Sequence, residues 1–124
     1  MLKRKILLVE DEADLANFLK LRLEAAGFEV AIAYDGKNAL HEVRRAAPDL
    51  VILDLMLPGM DGYRVCRLLK YDAKFSEIPV IIMSAKSDPA DKELGEKVGA
   101  DKYLAKPFEA DVLIRHIKES LKER

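Results

Sequence analysis

The sequence has no tryptophan, a single cysteine and only two histidines among its 124 residues. One cysteine, Cys66, cannot form an internal disulfide and suits a reducing compartment. Without a cluster of Cys and His there is no basis for a zinc site. Neither sign of charge is in excess: Lys plus Arg number 21 and Asp plus Glu 22, for a formal net charge of -1. A dedicated nucleic-acid binder would need a basic surface to meet the phosphates, so direct nucleic-acid binding is not expected. The longest apolar stretches, such as Leu50 to Leu53 and Val80 to Met83, are far too short to span a bilayer. At the N-terminus, Lys3, Arg4 and Lys5 lead into Ile6 to Val9, but Glu10-Asp11 ends the run at once, unlike a signal peptide. These absences lead to the expectation of a cytoplasmic chain that does not enter a membrane. Repeats and low-complexity tracts are also missing. What is there is globular: 50% of residues are hydrophobic and 35% charged. The length suits one domain, which on folding buries roughly two thirds of the surface of the unfolded chain.

Short apolar runs alternate with longer helical patterns. Ile6 to Val9, Phe28 to Ala33, Leu50 to Leu53, Pro79 to Met83 and Lys102 to Ala105 read as strands, and the Ile6 to Val9 run is continuous rather than alternating, as in parallel sheets. Between them, Leu15, Phe18, Leu19, Leu23 and Ala26 recur at helical spacing before Gly27. A second helix starts at Asp35-Gly36, runs through Ala39, Leu40, Val43 and Ala47, and stops at Pro48. A third covers about Tyr63 to Tyr71, and a fourth begins at Asp88-Pro89 and is closed by Gly99. The last carries Ala110, Leu113, Ile114, Ile117 and Leu121 on one face. Five strand–helix pairs predict an α/β fold with a parallel sheet covered on both faces.

In such sheets, sites form beyond the carboxyl ends of the strands. The first strand ends in Glu10 and Asp11, the third in Asp54 and the fourth in Ser84, while the fifth leads into Lys106-Pro107. Any one of these residues could cap a helix, but capping does not call for three acids, a hydroxyl and a lysine at these places. Crowded carboxylates raise each other's pKa unless a cation intervenes. Oxygen-rich strand ends suit Mg²⁺, which takes one or two carboxylates, waters and a phosphate oxygen. A carboxylate can also attack phosphorus to give an acyl phosphate, a reaction that mostly needs positioning and charge neutralisation.

Leu8-Val9-Glu10-Asp11-Glu12, Asp54 through Gly62, Met83-Ser84-Ala85, and Gly99-Ala100-Asp101 through Lys106-Pro107-Phe108 resemble the receiver domain of two-component response regulators. The resemblance covers essentially the whole chain, residues 1–124, as one receiver domain without an output domain inside it. It implies a doubly wound, flavodoxin-like (βα)5 fold with strand order 2-1-3-4-5 and five flanking helices. It further implies that Asp54 accepts a phosphoryl group from a histidine kinase or phosphotransfer protein. Mg²⁺, with Mn²⁺ as a substitute, would be held by Asp11, Asp54 and the backbone carbonyl of Met56. Glu10 stands where the family often has Asp, and its extra methylene leaves direct or water-mediated ligation open. Ser84 would bond one phosphoryl oxygen and Lys106 another, the Lys106-Pro107 bond would be cis, and Tyr103 would turn inward on activation with Ser84. Met56 and Lys86 would flank the site and tune the phosphoryl lifetime. A downstream protein or attached output domain would read the face made by the fourth helix, fifth strand and fifth helix. On that face Lys92, Asp101 and Arg115 resemble part of a subgroup's salt-bridged, phosphorylation-dependent homodimer, although Lys102 stands where the subgroup has a second acid. An ordinary surface of mixed charge is the other reading.

Beyond accepting and losing its own phosphoryl group the chain is not expected to be an enzyme. An aspartyl-phosphate phosphatase would need a second aspartate two residues after Asp54, where Met56 stands, and no Gly-x-x-x-x-Gly-Lys-Ser/Thr loop is present for a nucleotide. A receiver-shaped interaction module that is never phosphorylated is the remaining alternative. His41 and His116 fall in helices away from the strand-end acids and read as solvated helix residues. Cys66 reads as helix packing, and Lys122 and Arg124 suit the negative end of the last helix dipole.

Overall fold

In the computed structural model, which describes residues 3–85 and 89–122 and only the backbone of residues 89–92, ten elements alternate strictly. They are β1 (Lys5–Val9), α1 (Ala13–Ala25), β2 (Glu29–Ala33), α2 (Gly36–Ala46), β3 (Leu50–Asp54), α3 (Gly62–Tyr71), β4 (Val80–Ser84), α4 (Pro89–Lys97), β5 (Lys102–Ala105) and α5 (Ala110–Lys122). The sheet is parallel throughout, in the order β2-β1-β3-β4-β5, as the resemblance implies. The order reverses direction between β1 and β3, so the ends of those two strands open a crevice there.

Side-chain alternation along the strands divides the core in two. Leu8, Ile52, Ile81 and Met83 face the layer that holds Leu19 and Leu23 of α1 and Leu113 and Ile117 of α5. Leu7, Val9, Val51, Leu53, Val80 and Ile82 face the other layer, with Ala39 and Val43 of α2 and Val65, Cys66 and Leu69 of α3. Each fully buried Leu or Ile contributes roughly 1.5–3 kcal/mol by leaving water. The central strands β3 and β4 are buried from end to end, which is why their sequence runs are continuous. The edge strands β2 and β5 are partly exposed.

Asp35, Gly27 and Gly99 set helix ends as expected, and Asp61 adds a cap not singled out in the sequence. Asp35 and Asp61 cap α2 and α3 by accepting the Asn38 and Arg64 amides at 2.7 and 2.9 Å. Gly27 and Gly99, at φ +100° and +94°, turn the chain after α1 and α4, with Phe28 and Ala100 donating back to the Leu23 and Gly95 carbonyls. Asp88 lies outside the described residues. One expectation fails: Phe18 is half exposed, and Ala16 fills the buried position on α1 instead. The helix turns its small residue to the sheet and leaves the Phe18 ring at the surface, with the Arg22 guanidinium 6.0 Å from its centroid.

Candidate functional site

Strand register assembles the site. Val9 pairs with Leu53, so Glu10 emerges beside Asp54. Asp54 pairs with Met83, so Ser84 comes one residue further along on the neighbouring strand. Ser84 pairs with Ala105, and Lys106 follows. The Lys106 amide donates to the Ser84 carbonyl at 2.7 Å, and the Lys106-Pro107 peptide is cis. Glu10, Asp54 and Lys106 share the strand parity of Leu8, Ile52 and Leu104, all on one face of the sheet, so their side chains converge.

The Lys106 ammonium donates to Glu10 Oε1 at 2.7 Å and to Asp54 Oδ2 at 2.9 Å. The second oxygen of each acid is held by backbone: Met56 N–H donates to Asp54 Oδ1 at 2.9 Å and Glu12 N–H to Glu10 Oε2 at 3.1 Å. Glu10 and Asp54 are buried, whereas Asp11 is exposed at the mouth. Burial pushes the Glu10 carboxyl up to about 7, against the pull of Lys106 and the Glu12 amide and with help from the Asp54 carboxylate. Burial also opposes the Lys106 charge, but the hydrogen bonds to Glu10 and Asp54 outweigh it and raise its pKa.

One carboxylate oxygen from each of Glu10, Asp11 and Asp54 lies within 4.8 Å of the others. Three acids against one lysine leave an excess of negative charge, and an all-oxygen donor set suits a hard divalent cation. The structure therefore brings together Glu10, Asp11, Asp54 and Lys106, with the fully buried Ser84 at the adjoining strand end. Met56 contributes its backbone here, its side chain pointing largely to solvent. Tyr103 is half-buried on β5 and packs on the layer containing Ile82. Lys86 lies outside the described residues.

Other candidates separate from this cluster. His41 is exposed on α2, as expected, whereas His116 on α5 is half-buried rather than solvated, and burial lowers its pKa. Cys66 is buried, with its thiol pushed up to about 11 by burial and directed at the Val98 carbonyl, so it is unreactive. On the face of α4, β5 and α5, Asp101 is exposed but bonded to neighbours in its own chain. Its Oδ2 accepts from Val80 N–H at 2.8 Å and from Lys70 Nζ at 3.2 Å, and Lys70 also donates to the Ile78 carbonyl at 2.7 Å. Lys102 pairs with Glu119 at 3.1 Å. The side chain of Lys92 and the whole of Arg124 lie outside the described residues.

Sequence reasoning missed two supports. A Cβ on Gly62 would stand 2.5 Å from the Asp54 carbonyl oxygen and 2.7 Å from Leu55 Cα, so glycine lets the start of α3 press against the backbone that carries Asp54. The Asp61-Gly62 pair is visible in sequence as a turn and cap, but this close approach is not. The latch from Lys70 to Asp101 joins residues 31 apart and leaves no local signal.

Comparison with known proteins gives one consistent result. The family model described as response regulator receiver domain matches residues 6–118. DNA-binding response regulators MtrA from Mycobacterium leprae and Mycobacterium tuberculosis are 44% identical over 121 residues, 98% of this chain. The chain spans about half the length of these curated relatives, 52%. The Francisella response regulator 1452 receiver domain superposes with a TM-score of 0.91 at 34% identity, covering 98% of both chains. The BeF3-activated N-terminal receiver domain of Klebsiella pneumoniae RstA gives 0.88 at 29% identity, covering 95% of this chain and 98% of that one. Sheet order, strand-end acids, the lysine that joins them and the family match agree: the chain belongs to the response regulator receiver domains of two-component systems.

Proposed function

We propose that this receiver is a phosphorylation switch in which Asp54 takes the phosphoryl group from the phosphohistidine of a histidine kinase or phosphotransfer protein. The observation that carries the reading is the Lys106 bridge to Glu10 and Asp54 beside the clustered oxygens of Glu10, Asp11 and Asp54. That arrangement keeps an aspartate buried yet next to a cation and to a place for another. An ionised Asp54 oxygen attacks phosphorus, the donor's P–N bond breaks as the O–P bond forms, and the departing imidazole takes up a proton. Asp11 and Asp54, the Met56 carbonyl and, directly or through water, Glu10 would hold Mg²⁺ or Mn²⁺, which neutralises phosphoryl oxygens when bound. Lys106 already sits on Asp54 and pairs with a phosphoryl oxygen as a point charge, and Ser84 donates to another. Water later hydrolyses the acyl phosphate, so the chain acts on its own aspartate and turns over no separate substrate.

The new charge biases Ser84 and Tyr103, and through them the face of α4, β5 and α5. A downstream protein or an attached output domain reads that face, in keeping with DNA-binding relatives about twice as long as this chain. The receiver itself makes no nucleic-acid contact. Dimerisation through Asp101 and Arg115 would engage a carboxylate whose Oδ2 already accepts from Lys70 and the Val80 amide. Acetyl phosphate with Mg²⁺ is expected to shift the protein to one slower band on a phosphate-affinity gel. An Asp54→Asn protein that shifts equally would overturn the assignment.

A further inference from the structure

Gly95 sits in an unusual place for a glycine. It lies inside α4 and is buried, although glycine disfavours a helix relative to alanine. Its backbone does not call for glycine, because the positive-φ glycines are Gly27, Gly59 and Gly99. It accepts the Ala100 amide at 3.0 Å to close the helix, a backbone contact any residue can make. What favours glycine is on the sheet side. A Cβ at position 95 would stand 3.2 Å from Tyr103 Cδ2, 3.7 Å from Tyr103 Cε2 and 3.4 Å from Ile82 Cδ1. Ile82 and Tyr103 are direct partners in the register of β4 and β5. By strand alternation, Ser84 leaves β4 on the same face as Ile82.

We propose that Gly95 is a positioning residue for Tyr103, its missing side chain forming the slot between α4 and Ile82 in which the Tyr103 ring lies. Contact at 3.2 Å is tighter than ordinary packing, so a methyl group there moves either the ring or the helix. Tyr103 is half-buried, so part of its side chain meets solvent. Gly95 thereby sets how far inward the ring can sit, and couples the position of α4 to that of Tyr103. The functional consequence rests on the reading of Tyr103 as the moving part of the switch; the slot itself does not.

The test is a double-mutant cycle with a resonance readout. Gly95→Ala removes a helix-weakening glycine, so it is expected to raise the melting temperature by about 3 °C more in a Tyr103→Ala background than in the parent. Tyr103→Leu provides a second background that keeps an apolar side chain on β5. Equal increments in all backgrounds would overturn the slot. In protein labelled at tyrosine, Gly95→Ala is expected to displace the Tyr103 ring resonances before phosphorylation and to reduce their change on adding acetyl phosphate and Mg²⁺, while labelling proceeds at the parent's rate. Unequal melting increments with no Tyr103 response to phosphorylation in the parent would uphold the slot and refute the switching role. A clear response in the parent with equal increments would do the reverse.

Discussion

Glu10, Asp54 and Lys106 form the most charged buried group in the site, and their energetics set the behaviour of individual residues. Glu10 binds its proton more tightly in the folded chain than its ordinary value of 4.5, up to about 7. Between those two values the folded state holds more proton than the unfolded state, so this group's contribution is fully present below pH 4.5 and is lost as pH rises through 7. Stability of the metal-free protein should therefore fall across that window, and Glu10→Gln should flatten the fall by a few kcal/mol at most, read from urea midpoints at a series of pH values. Removing the lysine has the opposite emphasis. Lys106→Met leaves two buried carboxylates facing each other without their shared cation. It is expected to cost about 3 kcal/mol near pH 8 and markedly less near pH 5, where protonation relieves the repulsion. An equal loss at both pH values would show that the lysine acts by packing alone.

At the scale of elements, close backbone approaches and helix ends carry the argument. Gly62→Ala drives a methyl into the Asp54 carbonyl and Leu55 Cα, backbone atoms that cannot swing aside as a flexible side chain does. A loss of about 3 kcal/mol is expected in urea unfolding, together with a lower phosphorylation rate because Asp54 moves with its strand. Ala47 ends α2 at φ 46°, a left-handed conformation that suits glycine better than alanine. Ala47→Gly is expected to raise stability by about 0.5 kcal/mol, the relief of strain exceeding the entropy that glycine loses. Much of this scale was legible in the sequence. Apolar runs marked the strands, and Asp35, Gly27 and Gly99 marked helix ends, because capping and turning depend on one or two neighbouring residues. Phe18 was misread because helical spacing alone cannot tell which of two neighbouring apolar faces meets the sheet when a small residue, Ala16, competes for it. The roles of Gly62 and Gly95, and the tie from Lys70 to Asp101, depend on atoms distant in sequence and become visible only in the folded chain.

For the whole molecule, a formal net charge of -1 conceals a local arrangement. The parallel order β2-β1-β3-β4-β5 sets the ends of β1, β3, β4 and β5 side by side, so acids and lysine that are far apart in sequence meet at one edge. The strand-end acids could be read without the structure because every strand of a parallel sheet finishes at the same edge. The sharing of Lys106 between Glu10 and Asp54, and the burial that raises Glu10, could not, because they depend on side-chain distances. The central claim is that Asp54, of the clustered carboxylates, carries the phosphoryl group. It is tested most directly by treating the protein with acetyl phosphate and Mg²⁺, reducing the acyl phosphate with borohydride and locating the product by peptide mass spectrometry. Homoserine is expected at position 54 and none at position 11. Reduction product at Glu10 or Asp11, or no product at all in folded protein, would contradict it.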